Sequence, residues 1–307
     1  NTLNKEGSVD IACYHQYNRV LTTTEITQNF NAQKTRFGLT ADTIVTSGLT
    51  INLDAGNIIS YPTTGTSWYD VSYNNYNATL NNGITFSSLS GGTFILDGVD
   101  DSISSDRLII TSGQAESNIT YEYWVEPQDV IFNGYTESTS GTQFYRPGSS
   151  ATKQGLQSNL SYLYAQNTNS PYYNTKVALG FALGTNGFAV GVHQNSYAPM
   201  ILVDYKTITG TKHLVVIKRG NNVTYYLNGV KQKDSLTVPS RTIGDGFGNF
   251  ANADGSGGQT QSITAINNNS FTTFYKGNIY SYRVYLRELS ESEILQNYNA
   301  QKSRYGL

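Results

Sequence analysis

Two glutamates four positions apart, Glu122 and Glu126 in the run Tyr121-Glu-Tyr-Trp-Val-Glu126, are the pair that could flank a glycosidic bond as acid and nucleophile. The same run reads as a core strand, with Tyr121, Tyr123 and Val125 turned to one side at period two. A denser carboxylate set, Asp54, Asp70, Asp97, Asp100 and Asp101, offers the hard oxygen ligands that calcium takes in groups of about six to eight. Asp97-Gly98 and Asp100-Asp101 also suit Asx turns, because an aspartate bonds its own backbone two residues on. The run Asn249-Phe-Ala-Asn-Ala-Asp-Gly255 is no calcium loop of the EF-hand kind: that register puts Phe250 and Gln261 at its end positions, where carboxylates belong.

Tyr135, Tyr145, Tyr164, Tyr172, Tyr173 and Tyr197, with Phe144 and Tyr162, crowd stretches that hold few apolar runs. Tyrosine presents a flat face and a hydroxyl, so an exposed set is a platform for sugar rings. The alternative is that these rings pack loops or a subunit interface. His15, His193 and His213 lie far apart, no serine sits in a Gly-x-Ser-x-Gly setting, and no catalytic residue is assigned. Cys13, the one cysteine, reads as a buried small hydrophobe and excludes a disulfide within the chain.

Lys and Arg number 20 against 22 Asp and Glu, a formal charge of -2. That balance provides no basic cluster for nucleic acid or for an acidic membrane surface. No run approaches the roughly 18 apolar residues of a membrane span, so no insertion is expected. The 24 Tyr and 29 Gly suit many short strands joined by tight turns.

Those strands must position the candidate residues. Leu49, Ile51 and Leu53 alternate, and further strands are expected at 93–96, 102–103, 119–125, 176–183, 187–192, 201–204, 213–218 and 223–227. Gly220, Asn221 and Asn222 turn one hairpin and Asn228-Gly229 the next. Residues 133–174 and 244–269 read as long loops, where binding would sit. With one late helix, this pattern is that of an all-β, two-sheet sandwich.

The chain also repeats itself: Cys13–Leu39 aligns without a gap onto Ser281–Leu307. Each copy passes from a strand (9–13 and 279–286) into a helix opened by a capping box, Thr22 with Glu25 and Ser290 with Glu293. Ile294, Leu295 and Tyr298 would dock the helix, Lys302 and Arg304 would suit its negative end, and Gly306 would stop it. The interval between copies is too long for a solenoid and matches one large all-β domain. Residues 1–40 are therefore expected to be the closing strand and helix of a preceding domain, 41–47 a linker, and 48–307 a complete domain.

Four patterns stand in order: Gly48-Leu-Thr-Ile-Asn-Leu-Asp-Ala-Gly-Asn57 with Ser60-Tyr61; Trp68-Tyr-Asp-Val-Ser72 with Asn77-Ala-Thr-Leu80; Phe94-Ile-Leu-Asp-Gly-Val-Asp-Asp101; and Tyr226-Leu-Asn-Gly229. With Gly277-Asn-Ile-Tyr280 and the segment from Leu289 to Ala300, the set resembles the laminin-G-like, concanavalin A-like jelly-roll domains. The closing segment is similar to those of tandem domains in bacteriophage tail, fibre or capsid-associated proteins. The resemblance implies two antiparallel sheets face to face, and calcium in some members, here with Asp54, Asp97, Asp100 and Asp101 as ligands. Laminarinase-type relatives carry Glu-x-Asp-x-x-Glu, whereas Glu122 and Glu126 lack the intervening Asp, which argues against hydrolysis. The reading is a non-enzymatic structural or adhesion module on a virion surface, with other virion proteins, copies of itself and host glycans as partners. The second reading is a carbohydrate-active enzyme or its attached lectin domain.

Overall fold

The structure, a computed structural model, describes residues 13–22, 25, 26, 29, 32, 33, 43–72, 74–105, 118–131, 134–140, 176–193, 199–238, 242, 243, 261, 262, 265–268 and 271–307. The chain divides into two compact units, Asn1–Ala41 and Asp42–Leu307.

In the larger unit the strands are β1 (Leu49–Asp54), β2 (Ser67–Trp68), β3 (Ala78–Asn81), β4 (Thr85–Ser87), β5 (Thr93–Asp97), β6 (Ser102–Ser105), β7 (Asn118–Pro127), β8 (Lys176–Gly184) and β9 (Gly187–His193). They continue as β10 (Met200–Tyr205), β11 (Lys212–Arg219), β12 (Asn222–Leu227), β13 (Val230–Asp234), β14 (Thr242–Ile243), β15 (Gln261–Ser262), β16 (Ala265–Asn268), β17 (Phe271–Phe274) and β18 (Lys276–Tyr285). The helix α1 (Glu291–Gln301) follows.

The main sheet runs β13-β12-β11-β7-β18-β5-β4, and β1 also pairs with β18. β18 therefore meets β7 along one edge and β5, then β1, along the other. Two four-stranded sheets, β10-β9-β8-β14 and β15-β6-β3-β2, supply its counterpart. All described pairs are antiparallel except the two-residue contact of β14 with β8. The fold is the expected antiparallel sandwich.

Period two explains the core. Tyr121, Tyr123 and Val125 of β7 face Phe181, Leu183, Phe188 and Val190 from β8 and β9, in one buried cluster with Ile51, Leu53, Trp68 and Phe94. Phe94 stands edge-on to Trp68 and Tyr61, with ring centroids 4.9 and 4.8 Å apart. Each such fully buried large side chain contributes about 1.5–3 kcal/mol. The opposite face of the main sheet is covered too: Val215, Ile217, Tyr226 and Tyr285 pack beneath Leu289 and Ile294. Both faces are thus dry, so β7, β11, β12 and β18 are almost continuously buried.

The capping box forms at α1: Glu293 N–H donates to Ser290 Oγ at 3.3 Å and Ser290 N–H to Glu293 Oε2 at 2.9 Å. The buried helix positions are Ile294 and Asn297; Leu295, expected in the seam, is exposed. Arg304 does not serve the helix end. It reaches across to the Asp54 carboxylate and the carbonyls of Ser90 and Gly92.

The expected hairpin forms, with Arg219 opposite Asn222 and Gly220 at φ +54. Within residues 43–47, read as linker, Val45 is buried and donates its N–H to Asn297 Oδ1 at 2.7 Å. The stretch 244–269, read as loop, contains β15 and β16, whose polar residues hid them from a hydrophobic-period search.

Gly277, at φ +144, lies so close to β7 that a Cβ would collide with the Glu126 carbonyl oxygen. Gly277→Ala should cost about 2 kcal/mol, read as a Tm lower by roughly 5 °C. An unchanged melting curve would contradict the tight β7–β18 approach.

Candidate functional site

Alternation places Glu122, Trp124 and Glu126 on the face of β7 away from the sandwich core, beneath α1 and the turn that follows it. Trp124 stacks on Tyr305, centroids 4.2 Å apart, and on Tyr298 at 5.9 Å. Glu122 is fully buried. Its Oε1 accepts from Arg283 Nη1 at 2.8 Å, and its Oε2 accepts from the Asn297 amide. Asn297 also donates to the Tyr285 hydroxyl at 3.0 Å. Arg283 donates further to Asn52 and Gln301, so strands β1, β7 and β18 and the helix meet at one ion pair.

Burial alone would push the Glu122 carboxyl up. The His213 imidazole, Arg283 and Asn297 outweigh it and hold it at about 2, below the ordinary 4.5. At 3.5 Å the imidazole is a neighbouring dipole or charge, and Arg283 makes the good hydrogen bond. A general acid needs a proton to give near neutral pH, and a nucleophile needs access to substrate. Glu122 has neither. Glu126 is held as well, its Oε2 accepting from Asn278 Nδ2 and the Tyr280 hydroxyl, both at 3.0 Å.

The aspartates separate into three sites. Asp97, Asp100 and Asp101 gather at the β5–β6 turn, with one carboxylate oxygen of each within 4.8 Å of the others. Turn chemistry uses part of the set: Asp97 Oδ1 accepts from Val99 N–H at 2.7 Å, and Asp101 Oδ2 from Asp97 N–H at 3.0 Å. Burial, with the charges of Asp97 and Asp100, raises the Asp101 carboxyl against the pull of that amide. Asp54, expected as a fourth ligand, stands elsewhere: Arg304 Nη1 donates to both its oxygens at 2.7 and 2.9 Å. Asp70 is buried and accepts from the N–H groups of Asn52, Ser72 and Tyr76.

Of the expected tyrosine platform, Tyr145, Tyr164, Tyr172, Tyr173 and Tyr197 lie outside the described residues, as do Phe144 and Tyr162. Tyr135 is buried, not an exposed platform, because the segment carrying it folds against the edge strand β10. Gly134 and Tyr135 donate their N–H groups to the Tyr205 hydroxyl at 3.0 and 2.9 Å, and Ser138 donates to the Met200 carbonyl at 2.8 Å. Glu137 accepts from Val203 N–H at 2.9 Å and pairs with Lys233 at 2.6 Å. The half-exposed ring at this edge belongs to Tyr205. Tyr205 lies on a strand, just beyond the buried run Met200–Val203, and not in the loops where a sugar platform is expected.

No family model matches the chain, and no curated relative matches it. Among solved structures, the binding domain of botulinum neurotoxin DC, in complex with rat synaptotagmin II, is similar at a TM-score of 0.50 and 10% identity, over 84% of this chain and 52% of that chain. The binding domain of Paraclostridial Mosquitocidal Protein 1 gives 0.48 and 14%, over 82% and 52%. Domain 4 of AbnA, an extracellular arabinanase from Geobacillus stearothermophilus, in complex with arabinotriose, gives 0.49 and 16%, over 83% and 99%. This chain spans about half the length of the two toxin domains. At such identities the neurotoxin likeness is one of fold.

The Glu122 pair carries a pH signature. Its folded carboxyl titrates below the ordinary value, so the unfolded chain takes up the proton first as pH falls. The stabilisation is whole above about pH 5 and is lost on the way down towards pH 2. Glu122→Gln leaves the buried Arg283 with only Asp54, 3.7 Å away, as counter-charge, and should cost about 3 kcal/mol at pH 7. The variant's stability should also fall less steeply with acid; a parallel acid limb in denaturant titrations would remove Glu122 as the source.

Proposed function

We propose that this chain is a non-enzymatic recognition module that binds carbohydrate through the edges and loops of its β-sandwich. The observation that carries the non-catalytic half is the burial of Glu122 in its pair with Arg283, which denies that carboxylate the access to substrate that a glycosidase acid or nucleophile needs. The recognition half is supported by the fold shared with a toxin binding domain and by the tyrosine-rich sequence between β7 and β8. The finer setting is a surface protein of a phage virion, present in several copies among other virion proteins and adhering to host glycans. It is supported by the duplicated closing segment and the order of the jelly-roll motifs.

A calcium ion belongs to this reading. Asp97, Asp100 and Asp101 would hold it, since three converging carboxylates are the hard donors it takes. It would neutralise like charges crowded at one turn. Asp54 is excluded from the set by its bond to Arg304.

Two measurements test these statements. On a glycan array the chain should retain a defined subset of glycans and release no reducing sugar from them; release of sugar would make it an enzyme, and an array without retained glycan would remove the recognition half. Millimolar calcium should raise Tm relative to chelator in the parent, and Asp100→Asn should abolish the difference. Equal melting of the parent in both conditions would dismiss the ion.

A further inference from the structure

The described residues between Cys13 and Gln33 reproduce three contacts of the segment that closes the sandwich. Thr22 and Glu25 make the same capping box as Ser290 and Glu293, with Glu25 N–H donating to Thr22 Oγ1 at 3.2 Å and Thr22 N–H to Glu25 Oε2 at 2.9 Å. Arg19 pairs with Glu25 at 2.6 Å as Arg287 pairs with Glu293 at 2.7 Å. Asn29 Nδ2 donates to the Tyr17 hydroxyl at 2.9 Å as Asn297 Nδ2 donates to Tyr285 at 3.0 Å. The two segments thus open their helices with the same contacts.

Their surroundings differ completely. Tyr14 is 76% exposed and its counterpart Tyr282 is 1%; Tyr17 is 44% and Tyr285 0%; Ile26 is 56% and Ile294 0%. Cys13 and His15 are exposed, whereas Ser281 and Arg283 are buried. Ser281–Tyr285 is strand, paired with β7 and β1, and Cys13–Tyr17 has no strand partner and is not strand. Tyr282 meets Tyr123, ring centroids 4.7 Å apart, and Ile294 meets Val215 and Ile217. The exposed face of the first copy therefore has a known complement: an apolar sheet of this make.

We infer that Cys13–Gln33 is a docking element that completes a second jelly roll, supplied in the same polypeptide ahead of Cys13. Chain order fixes that direction, because the closing segment follows the strands it closes in Asp42–Leu307. A second copy of the chain is not the occupant, since its matching surface already carries Ser281–Leu307. The acceptor must offer Asn29 a buried oxygen, as Glu122 does for Asn297, and a backbone N–H, as Val45 does. It must differ where His15 stands in place of Arg283. This inference is independent of any glycan.

The test is a graft within the full chain: residues 281–307 are replaced by the sequence of residues 13–39, and the original Cys13 becomes Ser, so the incoming cysteine at the buried position of Ser281 is the only thiol. The graft should melt cooperatively, and its thiol should react with a maleimide at least about tenfold more slowly than Cys13 of the parent, because a buried thiol reacts only on opening. A second graft retains Arg283, so loss of the Glu122 pair alone cannot mask docking. Two grafts that do not fold, or a thiol as reactive as that of the parent, overturn the inference. So does a concentration-dependent dimer of the parent chain in sedimentation that Ile26→Asp dissolves, which would make a second copy the occupant.

Discussion

A charge pair buried at the seam of four elements decides how this domain is built. Arg283 on β18 and Glu122 on β7 are both almost wholly excluded from water. Neither ion could sit there alone, since an unpaired buried charge costs several kcal/mol, of the order of the 3–5 that follows loss of one partner. Around them Asn297 from the helix, Asn52 from β1 and Gln301 complete the hydrogen bonds. The helix lies where it excludes solvent from the pair, opened by its capping box and joined to Val45 through Asn297. Dry faces on both sides of the main sheet follow from that arrangement.

One consequence concerns where recognition is possible. With one face of the main sheet in the core and the other beneath α1, neither broad face is open over β7 and its neighbours. What lies open to solvent includes Tyr205 at the β10 edge and, at the β5–β6 turn, Asp97 and Asp100. The carboxylates of β7 lie inside the architecture that supports those places.

Much of this was legible in the sequence. The alternation of Leu49, Ile51 and Leu53, the apolar runs of β7 to β12 and the Ser290–Glu293 box each carry a local physical signal, and each element is present. Other features depend on contacts across long stretches of chain. Asn297 is buried where Leu295 is the expected docking residue, because the helix presses the Asn297 amide onto Glu122, a tertiary demand that helical periodicity cannot express. Asp54 looks like one more loop carboxylate until Arg304, 250 residues away, is seen to hold it. Tyr135 belonged to a segment read as loop by composition, yet backbone bonds to the β10 edge bury it. Cys13 was expected inside and lies exposed in a segment whose counterpart is buried.

The place of β18 in the sheet has a consequence in time. This strand lies between β7 on one side and β1 and β5 on the other, yet it is the last strand of the domain in chain order. During synthesis the earlier strands of the main sheet leave the ribosome as three pieces, β13-β12-β11-β7, β5-β4 and β1, with no strand to join them. Such late, non-local closure makes folding slow and exposes unpaired edges meanwhile. The domain becomes a domain only in the last moments of its translation, when the strand that carries Arg283 arrives.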